Sequence, residues 1–295
     1  MKGQQTSRTA EYMAFFRALE TLEPPARRLF TDPYAYALLS HPLREFAQMA
    51  RFSLLGSLVR TTLEFAWPYT RSSGVVRTRA IDDLVSDAIT GGARQLILLG
   101  AGFDSRAYRL QGVEKTAVFE VDHPATQQTK RERLGAFTRQ LPANVQFLSV
   151  DFEEDNLEVP LIDGGFDPRK LTIVVWEGVV SYLTKPAVEN TLVSLARLLA
   201  PMSHLIFTYM DQGALDGSKA FPGGRRWTSW VRFSGEPFVF GFDPDTLAGT
   251  LRSFGFLLKS DACTEEIARR YCTPMGRKEP GSQAYRVAVA IRAER

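Results

Sequence analysis

Apolar residues recur at helical spacing over residues 9–22, at Ala10, Met13, Ala14, Phe16 and Leu19, before Pro24-Pro25 blocks continuation. The same period predicts a second helix over residues 43–66, with Phe46, Met49, Leu54, Leu55 and Leu58, ending ahead of Pro68. Together these stretches read as a helical cap over residues 1–74. A further amphipathic helix over residues 75–89 closes at Gly91-Gly92, whose flexible backbone suits a helix C-terminus.

Beyond that point the pattern changes to short apolar runs alternating with helix-like segments. Residues 95–99, 117–121, 145–150, 171–176 and 204–209 read as strands; residues 105–110, 124–139 and 186–199 read as helices. This alternation predicts an α/β fold with a doubly wound, mostly parallel, Rossmann-like sheet over residues 75–210. A segment rich in glycine and aromatic residues, 211–242, reads as an insertion over the substrate. After it come a helix over 244–254 and two strands over 256–259 and 283–292, which complete the sheet in residues 243–295. The last run, AYRVAVAIRA, alternates apolar and polar residues where the earlier strands are continuously apolar, so it is expected to be a late antiparallel strand. No internal repeat or low-complexity tract interrupts this single domain.

Composition narrows the partners. A chain of 295 residues that is 44% hydrophobic can bury one substantial core. Its formal charge of +3 arises from acids and bases scattered along the whole length, so no basic stripe for a nucleic-acid partner is expected. The two cysteines, Cys263 and Cys272, belong to no paired Cys/His pattern, which argues against zinc and for idle thiols in a reducing compartment. The longest apolar run, residues 52–59, is too short for a bilayer, and the expectation is a cytoplasmic protein with no membrane partner.

Candidate chemistry sits at the strand ends. The strand over 95–99 runs into Gly100-Ala101-Gly102-Phe103-Asp104-Ser105, a glycine turn where open α/β sheets bind ligands. Glycine there would let a ligand lie against bare backbone. A dinucleotide fingerprint needs a third glycine at Ser105 to hold a pyrophosphate, whereas a cofactor without phosphates, such as S-adenosyl-L-methionine, does not. The competing reading is a plain turn with Asp104 as helix N-cap. The second strand ends in Phe119-Glu120-Val121-Asp122, placing acids about twenty residues past the glycines, the separation expected of a ribose-binding carboxylate. Asp122 could also cap the helix that follows, and both roles could hold, with Glu120 or Asp122 free for the ribose.

Asp151-Phe152, at the end of the third strand, can accept from an adenine amino group and pack on its face, although Asp151 by itself favours a plain acidic turn residue. Glu177 follows Trp176 and precedes an apolar turn, and a carboxylate so enclosed is costly unless something binds it. A methionyl amino group or the substrate would do so. Arg77 and Arg79 lie on the helix leading to the glycine turn, and arginine is the side chain best shaped to grip a carboxylate.

Taken as an ordered set, SRTAEYMAFFRALE, LFTDPYA, RTRAIDD, LGAGFDSRAYRL, FEVDHPATQQTK and EGVVSYLT resemble the leucine carboxyl methyltransferase family and its bacterial relatives, including polyketide carboxyl methyltransferases, over about residues 6–200. The resemblance implies a class I methyltransferase with S-adenosyl-L-methionine held by Arg77, Gly100, Ala101, Gly102, Glu120, Asp122, Asp151, Phe152 and Glu177, and with Arg8 and Arg17 in a lid over the methyl donor. It also implies in-line transfer to an oxygen nucleophile, aided by proximity and exclusion of water. A carboxylate acceptor is already ionised and needs no general base; His123 is the one histidine near a motif.

Tyr182, Tyr209, Trp227, Trp230 and Phe233 are candidates to line the acceptor pocket, with Arg225, Arg226 or Arg232 to orient an anionic acceptor, a small-molecule or peptide carboxylate and preferably an aromatic or polyketide acid. Two rival readings use the same sheet: a nicotinamide-dependent oxidoreductase, disfavoured by Ser105 and by the lack of a Tyr-x-x-x-Lys-like pair, and a cofactor-binding protein without acceptor chemistry.

Overall fold

The computed structural model describes residues 7–66, 69–222 and 237–294. Five strands, β1 (Gln95–Leu99), β2 (Ala117–Asp122), β3 (Val145–Ser149), β4 (Thr172–Trp176) and β5 (His204–Met210), are parallel. They join β6 (Phe256–Cys263) and β7 (Tyr285–Arg292) in one sheet of order β3-β2-β1-β4-β5-β7-β6. β7 runs antiparallel to both of its neighbours, the late reversal that its alternating sequence predicts. The chain leaves β1 outward to β2 and β3, then returns to β4 on the other side. The switch of direction opens a crevice at the carboxyl ends of β1 and β4.

Alternation along the strands divides the core in two. Leu96, Leu98, Ile173 and Val175 face the N-terminal helices α1 (Arg8–Thr21) and α4 (Thr70–Thr90), whereas Ile97, Leu99, Val174 and Trp176 face the helix Lys185–Leu198 on the opposite side. Each fully buried Phe or Leu adds about 1.5–3 kcal/mol of transfer free energy, and α1 alone buries Phe15, Phe16 and Leu19.

Helix α1 starts where Ser7 Oγ accepts the Ala10 N–H and lies across the crevice. Its far end is pinned by charge: Glu20 takes both terminal nitrogens of Arg277 at 2.6 Å, and Arg277 also bonds Glu279.

Several boundaries differ from those predicted. The helix expected over 75–89 begins at Thr70, because its first turns bury polar groups that hydrophobic periodicity does not register: Ser73 Oγ meets Thr264 Oγ1 at 2.8 Å and Arg71 bonds Glu279. The stretch 43–66 is two helices, α2 (His41–Met49) and α3 (Ser53–Ala66), broken around Phe52, which is 67% exposed. β6 extends four residues past Lys259, through a bulge and the polar Ser260 and Asp261 that hide its period. The helices Glu158–Asp163, Gln212–Asp216 and Thr264–Cys272 were not apparent from the pattern. No helix among the described residues is long and apolar enough to cross a membrane.

Candidate functional site

The crevice holds a cavity of about 360 Å³, within the range of small-molecule sites. Its floor is the turn after β1, where Gly100 and Gly102 take φ of +62° and +46°, conformations that favour glycine. The physical need for Gly100 differs from the expected one. A Cβ there would come within 2.2 Å of Val179 Cγ2, so it is the protein's own β4 turn, rather than a ligand, that the missing side chain admits. A Cβ on Gly102 would lie 3.2 Å from the Ala10 Cβ of α1, so the roof packs directly on the turn.

Asp122 lines this cavity and does not cap the next helix. Its Oδ2 accepts the Gly102 N–H and its Oδ1 accepts the His123 N–H at 2.6 Å, while His123 itself is the N-cap of the helix Pro124–Phe137, its Nδ1 accepting from Ala125. Burial pushes the Asp122 carboxyl above its usual range against the pull of these two N–H groups. Its pair Glu120 points elsewhere and is not part of the cavity wall. On a strand, residues two apart share a face, but Glu120 lies deeper, 2.8 Å from Lys130 Nζ and 2.9 Å from Tyr108 Oη, and a buried ion pair already consumes its charge.

Asp151 and Phe152 line the cavity beyond Asp122, as does Ala101. Asp151 Oδ1 accepts the Glu153 N–H in its own turn.

On the opposite side, Glu177 is held by two arginines, Oε1 by Arg77 Nε at 2.7 Å and Oε2 by Arg106 Nη1 at 2.6 Å. Burial opposes ionisation, but Arg106 and Arg77 outweigh it and hold the Glu177 carboxyl below its usual range. Arg106 was not singled out from the sequence. It is 2% exposed and also bonds Asp82 at 2.7 Å and Asp104, tying α4, the β1 turn and the β4 turn together. Burial would raise the Asp104 carboxyl, yet Arg106, with Lys130 and Arg17 farther off, brings it down to about 2. Asp104 also accepts the Arg106 N–H, but Ser105 occupies the N-cap position. The only hint of Arg106 in the sequence is its place directly after the glycine turn, and periodicity cannot tell a buried arginine from a surface one.

Arg77 lines the cavity through a guanidinium whose Nε alone has a hydrogen-bond partner among the described residues. Arg79 turns away to Asp83 and the Leu29 carbonyl. Arg17 reaches the cavity from α1, its Nε on Asp32 at 2.8 Å and a terminal nitrogen on the Phe103 carbonyl. Arg8, in the first turn of α1, is exposed and outside the cavity wall.

Of the aromatic acceptor candidates, Tyr182 lines the cavity with Leu183, Val179, Pro237, Val239 and Met13. Tyr209 does not: it is fully buried on the far face of β5, packed on Phe207 and Phe242, its hydroxyl 2.8 Å from Asp261. Trp227, Trp230, Phe233, Arg225, Arg226 and Arg232 lie outside the described residues. No group of three or more His, Cys, Asp or Glu side chains able to hold a metal ion occurs among the described residues.

The sequence profile of the leucine carboxyl methyltransferase family matches residues 10–196. A protein of Mycolicibacterium smegmatis, provisionally named an S-adenosyl-L-methionine-dependent methyltransferase, is 34% identical over 231 residues, 76% of this chain and 72% of that one. A provisionally named S-adenosyl-L-methionine-dependent methyltransferase of Streptomyces avermitilis is 33% identical over 287 residues, 92% of each chain. The crystal structure of a Thermobifida fusca protein, provisionally named a methyltransferase, superposes with a TM-score of 0.62 over 94% of this chain and 97% of that one at 17% identity, which shows a shared fold. With the family profile spanning its cap and the first four strands, this chain belongs to the leucine carboxyl methyltransferase family of S-adenosyl-L-methionine-dependent methyltransferases.

Proposed function

We propose that the chain methylates a carboxylate oxygen of an apolar or aromatic acid. The observation that carries this reading is that Glu177 and His123, the cavity groups placed to act as a base, are already committed to other partners. Glu177, held ionised by two arginines, is a poor proton acceptor, and His123 Nδ1 is occupied at a helix cap. An alcohol acceptor would need a base there; a carboxylate is ionised at neutral pH without one.

The residues present suit S-adenosyl-L-methionine. Asp122 would accept from the ribose hydroxyls, Asp151 and Phe152 would meet the adenine, and Arg77 with Glu177 would hold the amino acid end. When bound, this cofactor supplies an electrophilic methyl group. The chain's part is alignment and exclusion of water: the glycine turn fixes the floor, Ala10 and Met13 of α1 close the roof, and Val179, Tyr182 and Leu183 form an apolar wall for the acceptor.

The test is to incubate the protein with radiolabelled S-adenosyl-L-methionine and paired sets of aromatic and aliphatic acids and their alcohols. Ester formation is read by base-labile release of methanol. A product whose label survives base would overturn carboxylate methylation.

A further inference from the structure

The guanidinium of Arg77 is enclosed on three sides by different kinds of group. Glu177 takes its Nε; the ring of Tyr285 lies 4.9 Å from its central carbon; and the Gly178 main chain is so near that a Cβ there would sit 3.3 Å from Nη2. The fourth side faces the cavity. Tyr285, the first residue of β7, is 3% exposed, and its hydroxyl is 2.9 Å from Thr208 Oγ1, which accepts the Gly178 N–H at 2.8 Å. One connected set thus holds both the arginine and the turn beside it. Tyr285 and Thr208 both lie beyond residues 10–196, the part matched by the family profile.

We propose that Tyr285 is a positioning residue: its ring fixes the plane of Arg77 so that the two terminal nitrogens present to an anionic group in the cavity, and Thr208 locks that ring to the β4 turn. This rests on the functional reading, in which the group nearest Arg77 is the amino acid carboxylate of the adenosyl cofactor. An arginine side chain has four rotatable bonds, and a single bond from Nε leaves its fork free to tilt; a ring face beneath it removes that freedom and adds a cation–π attraction.

Two ligands separate this role from a general contribution to folding. S-adenosylhomocysteine carries the carboxylate; methylthioadenosine shares the nucleoside and lacks it. By titration calorimetry, Tyr285→Leu should weaken S-adenosylhomocysteine binding about tenfold while changing methylthioadenosine binding less than about twofold. Tyr285→Phe keeps the ring and should retain most of the affinity. In an Arg77→Met background, Tyr285→Leu should add nothing further, because the coupling runs through the arginine.

Equal loss for both ligands, or an undiminished effect of Tyr285→Leu without Arg77, overturns the proposal. If Tyr285→Leu does not fold, a tenfold loss confined to S-adenosylhomocysteine in Tyr285→Met decides in favour, and its absence decides against. Wild-type protein that binds neither ligand overturns the functional reading and this proposal with it, an outcome distinct from loss in the variants alone.

Discussion

Asp122 accepts a hydrogen bond from the main-chain N–H of Gly102, so the acid ending the second strand is fastened to the glycine turn ending the first. The two sequence features that pointed to a nucleoside site are therefore one structural unit, with Glu120 left outside it.

Asp122 and Glu120 should consequently fail in different ways. Asp122→Ala is expected to weaken S-adenosylhomocysteine binding by about 1–3 kcal/mol through lost hydrogen bonds. Glu120→Gln should leave that affinity alone and destabilise the fold by about 3–5 kcal/mol, because Lys130, 1% exposed, loses its counter-charge. Calorimetry and urea denaturation on both variants check the pair of outcomes; a Glu120→Gln defect confined to binding would reverse the assignment.

Binding should also depend on pH through Asp122. Its folded carboxyl titrates above the usual 3.8, and ribose hydroxyls donate more strongly to its charged form. Affinity for S-adenosylhomocysteine is expected to decline as pH falls through that raised value, and the decline should vanish in Asp122→Asn. Parallel slopes for the two proteins would contradict this.

Stability at low pH depends on Asp104, whose shift has the opposite sign. Its carboxyl is lowered from 3.8 to about 2, so its stabilising contribution is complete above pH 4 and is lost as pH falls toward 2. Glu177, lowered by the same arginine, acts in the same direction. The wild type should lose about 2 kcal/mol more than Asp104→Asn between pH 4 and pH 2, measured as unfolding free energies at each pH.

Gly102→Val should abolish adenosyl-ligand binding. A β-branched residue at φ +46° costs about 1–3 kcal/mol in backbone strain alone, and its added carbons would push Ala10 and α1 off the turn. Retained affinity in a folded variant would show that α1 does not form the roof of the occupied site.

Removing Arg106 tests the buried network. Arg106→Met removes the counter-charge shared by Asp82, Asp104 and Glu177, leaving Arg109 on Asp82 and Arg77 on Glu177, and is expected to cost about 3–5 kcal/mol. Unchanged thermal unfolding would contradict a central role for Arg106.

Much of this was readable from the chain because it depends on local order. Five parallel strands, the glycine turn, Asp122, Asp151-Phe152 and Glu177 follow from apolar runs and from residues placed at strand ends, where backbone direction dictates which edge they reach. The late antiparallel β7 followed from its alternation.

What local order could not decide was the direction and company of side chains. Glu120 and Asp122 are two residues apart, and only the packing of the helix Pro124–Phe137 against the sheet brings Lys130 to one and not to the other. Tyr209 looked like an acceptor contact by its place at a strand end, yet strand alternation turned it into the far core. Arg106 and Tyr285 meet the site through contacts spanning 71 residues from Arg106 to Glu177, and from β7 across the sheet to α4. Pairings between charges distant in sequence have no period to reveal them, because they exist only once the sheet has brought its strand ends together.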